Sequence, residues 1–111
     1  MHIHDQLQLA LDELEVRLDA AGLWQLDIPE ASAFASQEPF CIDTMSLPQW
    51  LRFVFIARLQ ALVDARAALP AKCDVAPALE AYIAQEKRPM AGQAALIGAL
   101  RHVDQLVTDH A

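Results

Sequence analysis

An all-α fold, a single-domain bundle of about four helices, is what this 111-residue chain predicts, and three observations lead there. Hydrophobic residues make up 55% of it while aromatics make up only 6%, so its apolar content is chiefly Ala and Leu, both strong helix formers. Only three glycines interrupt it. Two segments also share an apolar spacing of i, i+4, i+7 and i+11, which lays a stripe along one side of a helix. The length suits one domain over residues 1–111, large enough to bury a core without metal or disulfide staples.

The first helix is predicted over residues 5–21. Leu7, Leu11, Leu14 and Leu18 form its stripe, and Asp12, Glu15 and Asp19 lie largely away from it. Asp5 is placed to cap the amides of the first turn, and Gly22 is a natural stop. Residues 22–46 then change character. Pro29 and Pro39 punctuate them, and Ser32, Ser36 and Thr44 favour turns. Yet Leu23, Trp24, Leu26, Ile28, Phe34, Phe40, Ile42 and Met45 make the stretch too apolar for a disordered linker. A long ordered loop packed over the bundle is expected, with a helical turn around Glu30–Ala35. Long ordered loops are often functional.

The second helix is predicted over residues 47–68. Ser46 and Gln49 fit an S-x-x-Q capping box, Pro48 is tolerated in a first turn, and Pro70 ends the segment. From Trp50 to Ala57 it is apolar almost all round, Arg52 being its one charge, so this is the central helix of the bundle. A third helix fits 77–86, with Pro77 in its first turn and Leu79 and Ile83 facing inward; Lys87, Arg88 and Pro89 form a break. The fourth, 91–109, carries Leu96, Leu100, Val103 and Val107 at the spacing of the first. The result is a compact bundle with amphipathic outer members.

Composition restricts function. The net charge is −7 and the eight Lys and Arg residues are scattered, which leaves out the clustered basic footprint of a protein that binds nucleic acid directly. The same acidity disfavours anionic membranes and suits a basic protein partner. No apolar run reaches membrane-spanning length, and the opening MHIHDQLQLALDE lacks the pattern of a signal peptide, so a cytoplasmic location is expected. Cys41 and Cys73 have no CxxC or zinc-finger spacing around them and are expected as reduced thiols. There is no nucleophile motif, phosphate-cradling glycine loop or basic aromatic groove. A non-enzymatic protein without a cofactor is expected.

Several residues could still carry chemistry. On an ideal helix Arg58 points within about 20° of Leu51, on the face of Phe55 and Leu62. A guanidinium there must reach a carboxylate, a carbonyl or solvent, so it either binds an anion or snorkels. Asp43 and Thr44 precede the second helix, where a carboxylate either caps the helix or acts as a base. His2 and His4 with Asp5 are a weak metal pattern at a chain end. Cys41, between Phe40 and Ile42, reads as a small buried hydrophobe. Trp24, Trp50, Phe53 and Phe55 are either core or an interface anchor.

The middle of the chain resembles a known family. Glu38-Pro-Phe-Cys-Ile-Asp-Thr-Met, then Trp50-Leu51, then Phe55-Ile56-Ala57-Arg58, is similar to the YqcC-like proteins of bacteria, in which a Pro-Phe, an Asp-Thr-Met triplet, a Trp-Leu pair and a downstream Arg mark the centre. The likeness extends over the whole length and includes Val75-Ala76-Pro77 opening the third helix. The family commonly has Pro where this chain has Ala57, which bears on a kink there. The resemblance implies an all-α bundle whose motif residues Pro39, Phe40, Asp43, Thr44, Met45, Trp50, Leu51, Phe55 and Arg58 form an interaction site. Because family members are encoded beside a C-type tRNA pseudouridine synthase, it also implies a link to tRNA pseudouridylation. Such synthases need a catalytic Asp in a mixed α/β domain, so an all-helical chain would be an accessory. Two functional expectations result. One is a protein-interaction factor, with a tRNA pseudouridine synthase or a second copy of the chain as partner. The other is a small-ligand or regulatory module whose pocket lies between loop 37–46 and the second helix, with Arg58 and Asp43 fixing the ligand.

Overall fold

The computed structural model describes residues 2–86 and 92–110. Among them are four helices and no strand, as the composition predicts. Helix α1 spans Ile3–Ala20 and starts earlier than expected. Its cap is His2, whose ring accepts the His4 amide at 3.2 Å, and Asp5 sits in the first turn and pairs with Arg66 at 3.0 Å instead. The expected stop holds. Gly22 adopts a left-handed φ of 77°, which lets the Leu23 amide turn back to the Leu18 carbonyl at 2.8 Å.

Helix α2 occupies residues 47–65 and is not a uniform α-helix. Leu47–Trp50 is α-helical, Leu51–Ile56 is a π-helical turn, and Ala57–Ala65 is α-helical again. Its capping box is formed: the Ser46 hydroxyl accepts the Gln49 amide at 3.2 Å and the Gln49 side chain accepts the Ser46 amide at 2.9 Å. The π turn explains how the core stripe is kept. Leu47, Leu51, Phe55 and Leu59 step by four each time, which on an α-helix drifts about 40° per step. A wider turn absorbs that drift, and all four are buried, at 3%, 0%, 7% and 3% exposure. The helix ends at Ala65, short of the predicted residue 68. Arg66 turns left-handed at φ 49°, and the Ala67 amide closes onto the Leu62 carbonyl at 2.9 Å, so a backbone turn ends it well before Pro70.

Helix α3 is Ala76–Gln85 and α4 is Gln93–Asp109, the latter entered through Gly92 at φ 68°. The expected break at Lys87–Pro89 and the expected start at Ala91 lie outside the described residues. Helices α1 and α4 form the most extensive helix pair, and one continuous core joins all four helices. A second, smaller cluster of Ala33, Cys41, Met45 and Val54 holds the loop against α2, with Trp50 packed beside it. Within that loop Ala31–Ala35 and Pro39–Cys41 form 3₁₀ turns, the first of them where a helical turn was expected.

Candidate functional site on the loop face of the central helix

Two concavities border α2. The first, about 480 Å³, lies between the 3₁₀ turns and α2 and is lined by Phe34, Ser36, Glu38, Phe40, Cys41, Trp50, Phe53, Val54, Ala57, Arg58 and Ala61. Four of the chain's seven aromatic residues (four Phe, two Trp and one Tyr in all) therefore face one hollow. The second, also about 480 Å³, opens on the other side of α2 against the segment that leads to α3. Trp50, Arg58 and Ala61 border both and form the ridge between them.

Unusual backbone builds the first hollow. Phe40 and Cys41 are both left-handed, at φ 58° and 49°, a conformation that costs a residue with a Cβ about 1–2 kcal/mol. It seats the Phe40 ring edge-on to Trp50, centroids 4.9 Å apart, while Trp50 stacks on Phe55 at 5.5 Å. The loop ties itself together locally. Thr44 donates to the Ala33 carbonyl at 2.8 Å, Ser36 donates to the Asp43 carboxylate, and the Glu38 amide donates back to the Ser36 hydroxyl at 3.1 Å. Left-handed non-glycine residues and π turns both concentrate at functional sites, and here they share one face.

The motif residues divide between core and surface. Met45, Leu51 and Phe55 are buried; Phe40 and Trp50 are half-buried; Pro39, Asp43, Thr44 and Arg58 are exposed. Two readings of charged residues need correction. Asp43 neither caps α2 nor lines the pocket, because Ser36 draws its carboxylate back onto the loop; Glu38 is the acid of that hollow. Arg58 does not share the face of Leu51 and Phe55, because the π turn rotates the residues after it and gives the core position to Leu59. Arg58 stands exposed on the ridge. Arg52, which the sequence showed only as a charge in an apolar run, anchors the loop: it donates to the Trp24 carbonyl, and its guanidinium lies 4.4 Å from the Trp24 ring centroid.

Two buried polar groups elsewhere are structural. Asp104 is 7% exposed on α4, and its carboxylate accepts the Val75 and Ala76 amides at 2.8 and 2.7 Å, capping α3 from another helix. It also accepts the Cys73 thiol at 3.1 Å. Burial, and then this carboxylate, push the thiol far above its ordinary 9.0, so it stays protonated and poorly nucleophilic. Both cysteines are free. His4 is buried and donates to the Ala67 carbonyl at 2.7 Å, which fixes the start of α1 to the end of α2. Among the described residues no group of three or more His, Cys, Asp or Glu side chains gathers to hold a metal, and no helix is long and apolar enough to cross a membrane.

Fold and site together define a small all-helical protein with an aromatic-lined face built by a strained loop and a widened helical turn. A family model described as tRNA pseudouridine synthase C matches residues 6–106. The chain is 35% identical over 111 residues to the uncharacterized protein YqcC of Escherichia coli, covering 100% of this chain and 99% of that one. An uncharacterized protein of Haemophilus influenzae is 44% identical over 78 residues, 70% of this chain and 74% of its own. A tRNA pseudouridine synthase C of Pectobacterium carotovorum is 41% identical over 70 residues, 63% of this chain but 19% of the synthase. The solution NMR structure of YqcC from E. coli superposes with a TM-score of 0.82 at 34% identity, covering 100% of this chain and 92% of that one. The chain belongs to the YqcC-like family, as the central motif implies.

Proposed function

We propose that this protein is a non-enzymatic accessory factor that works through protein contacts, with a tRNA pseudouridine synthase as its partner. One observation carries the reading: a segment similar to most of this chain occurs inside a single polypeptide named tRNA pseudouridine synthase C. Covalent linkage holds two modules at high effective concentration, and separate chains must reach the same arrangement by binding. The aromatic face supports it physically, since Trp and other large rings anchor interfaces. The −7 charge favours a basic surface such as an RNA-binding enzyme presents. Co-purification of this protein with the C-type synthase of the same organism tests the reading. A stoichiometric complex that weakens as salt rises is expected. No association at micromolar concentrations, with or without tRNA, would contradict it.

A second reading, a small-ligand module, draws on the size of the first hollow, which falls within the range of about 300–1,000 Å³ usual for ligand sites. Arg58 lines it as that reading requires, and Asp43 does not. Specific stabilisation in a metabolite thermal-shift screen, lost in Arg58→Ala, would favour this alternative; uniformly flat melts would count against it.

A further inference from the structure

The second hollow lies between α2 and the segment entering α3. Its floor is apolar, made by Trp50, Phe55, Leu59, Leu62 and Val75. Two cations stand at its edge, Arg58 from α2 and Lys72 from the segment after it, together with one acid, Asp74. The other described basic residues are all engaged. Arg17 pairs with Glu13, Arg66 with Asp5 and Arg101 with Glu80, while Arg52 lies over Trp24 and Phe53. Arg58 and Lys72 form no ion pair, hydrogen bond or ring contact among the described residues. In a chain where 15 acids outnumber eight bases, two unpaired cations border this apolar hollow beside a single acid, while Lys72 also borders a concavity lined by Asp74, Glu80, Asp104 and Asp109. The π turn produces this placement. It sends Leu59 into the core and leaves Arg58 outside, above the hollow.

We propose that this hollow docks a partner's peptide segment in which a large apolar side chain adjoins an acidic residue. The apolar side chain fills the hollow, and the carboxylate is received between Arg58 and Lys72. Removing apolar surface from water supplies the affinity, and the two cations supply the choice of segment and its direction. An RNA occupant is disfavoured because, among the described residues, only two cations line this hollow, fewer than the track of charges that a phosphate backbone needs. The inference rests on the reading of this protein as an interaction module and not on which protein it serves.

The test is selection of short random phage-displayed peptides on the intact protein. Affinities of the enriched peptides are then measured by fluorescence anisotropy for wild type, Arg58→Glu, Lys72→Glu and Ala61→Trp. All three positions are exposed, so unchanged melting curves are expected. Enriched peptides should place Asp or Glu beside Leu, Ile, Phe or Trp. Each charge reversal should weaken them about ten-fold, and Ala61→Trp, which fills the hollow, should weaken them further. A peptide with its acid changed to Lys should recover affinity for Arg58→Glu, which separates a direct contact from a general loss of fold. No enrichment, peptides without that pairing, or affinities equal across the variants would overturn the proposal. So would tRNA binding that Arg58→Glu removes. A failed synthase complex alongside such peptides would overturn the partner alone.

Discussion

Helices α1 and α4 carry the same apolar spacing, and each of its eight positions is sealed. Leu7, Leu11, Leu14 and Leu18 are 2% exposed or less, and Leu96, Leu100, Val103 and Val107 are at 0%. The loop and α2 solve a different problem. Phe34 and Ile42 stand 40% and 60% exposed, two consecutive residues are left-handed, and one helical turn is widened. The first region follows its apolar period, though Leu9 and Val16 stand exposed off the stripe, and so supplies stability. The second departs from several rules together, at a conformational cost, and presents rings and a cation to solvent. Such departures persist where something other than stability maintains them.

The comparison breaks most visibly in the frame. Leu100→Ala leaves a cavity between α4 and its neighbours and should lower the unfolding free energy by about 2–5 kcal/mol in urea titration. A loss below about 1 kcal/mol would mean that the α1–α4 seam is not the main store of stability. Next is Asp104→Ala, which strips two amides at the start of α3 of their acceptor and should cost about 1–3 kcal/mol.

The Cys73 thiol beneath Asp104 adds a pH signature. Its folded-state pKa is raised, so its contribution is complete below the ordinary 9.0 and lost as pH climbs past it. Stability measured from about pH 8 to about pH 10 should therefore fall, and Cys73→Ala should flatten part of that fall. On the opposite face Phe34→Ala should change stability by less than about 1 kcal/mol, because the ring is already 40% exposed. Its effect should appear instead as weaker binding to the synthase in the co-purification assay.

How much the sequence disclosed obeys the same division. The stripes of α1 and α4, the stop at Gly22 and the Ser46–Gln49 box are local patterns, and each forms as its residues dictate. Arg58 leaves the position that an ideal 3.6-residue period assigns it because the turn before it is wider. The hint was present in the run Leu47, Leu51, Phe55, Leu59, whose steps are all of four where α1 and α4 step four, three, four. The His2 cap displaced the Asp5 cap because Arg66, 61 residues away in the chain, draws off the Asp5 carboxylate. Asp104 is a charge next to the stripe position Val103, yet its partners lie 28 and 29 residues away, where no periodicity points. Lys72 joins Arg58 at one hollow only through the path of the chain between α2 and α3.

Residue-resolved amide hydrogen exchange tests the central division most directly. A frame and a separately maintained face should exchange differently. Amides of Leu11–Leu18 and Leu100–Val107 should open only with global unfolding. Those of the 3₁₀ turns Ala31–Ala35 and Pro39–Cys41, and of the π turn Leu51–Ile56, should open locally at lower free energy. Protection in the loop and π turn equal to that of α1 and α4 would contradict the account, since the strained face would then be as much a part of the stable frame as the helices beneath it.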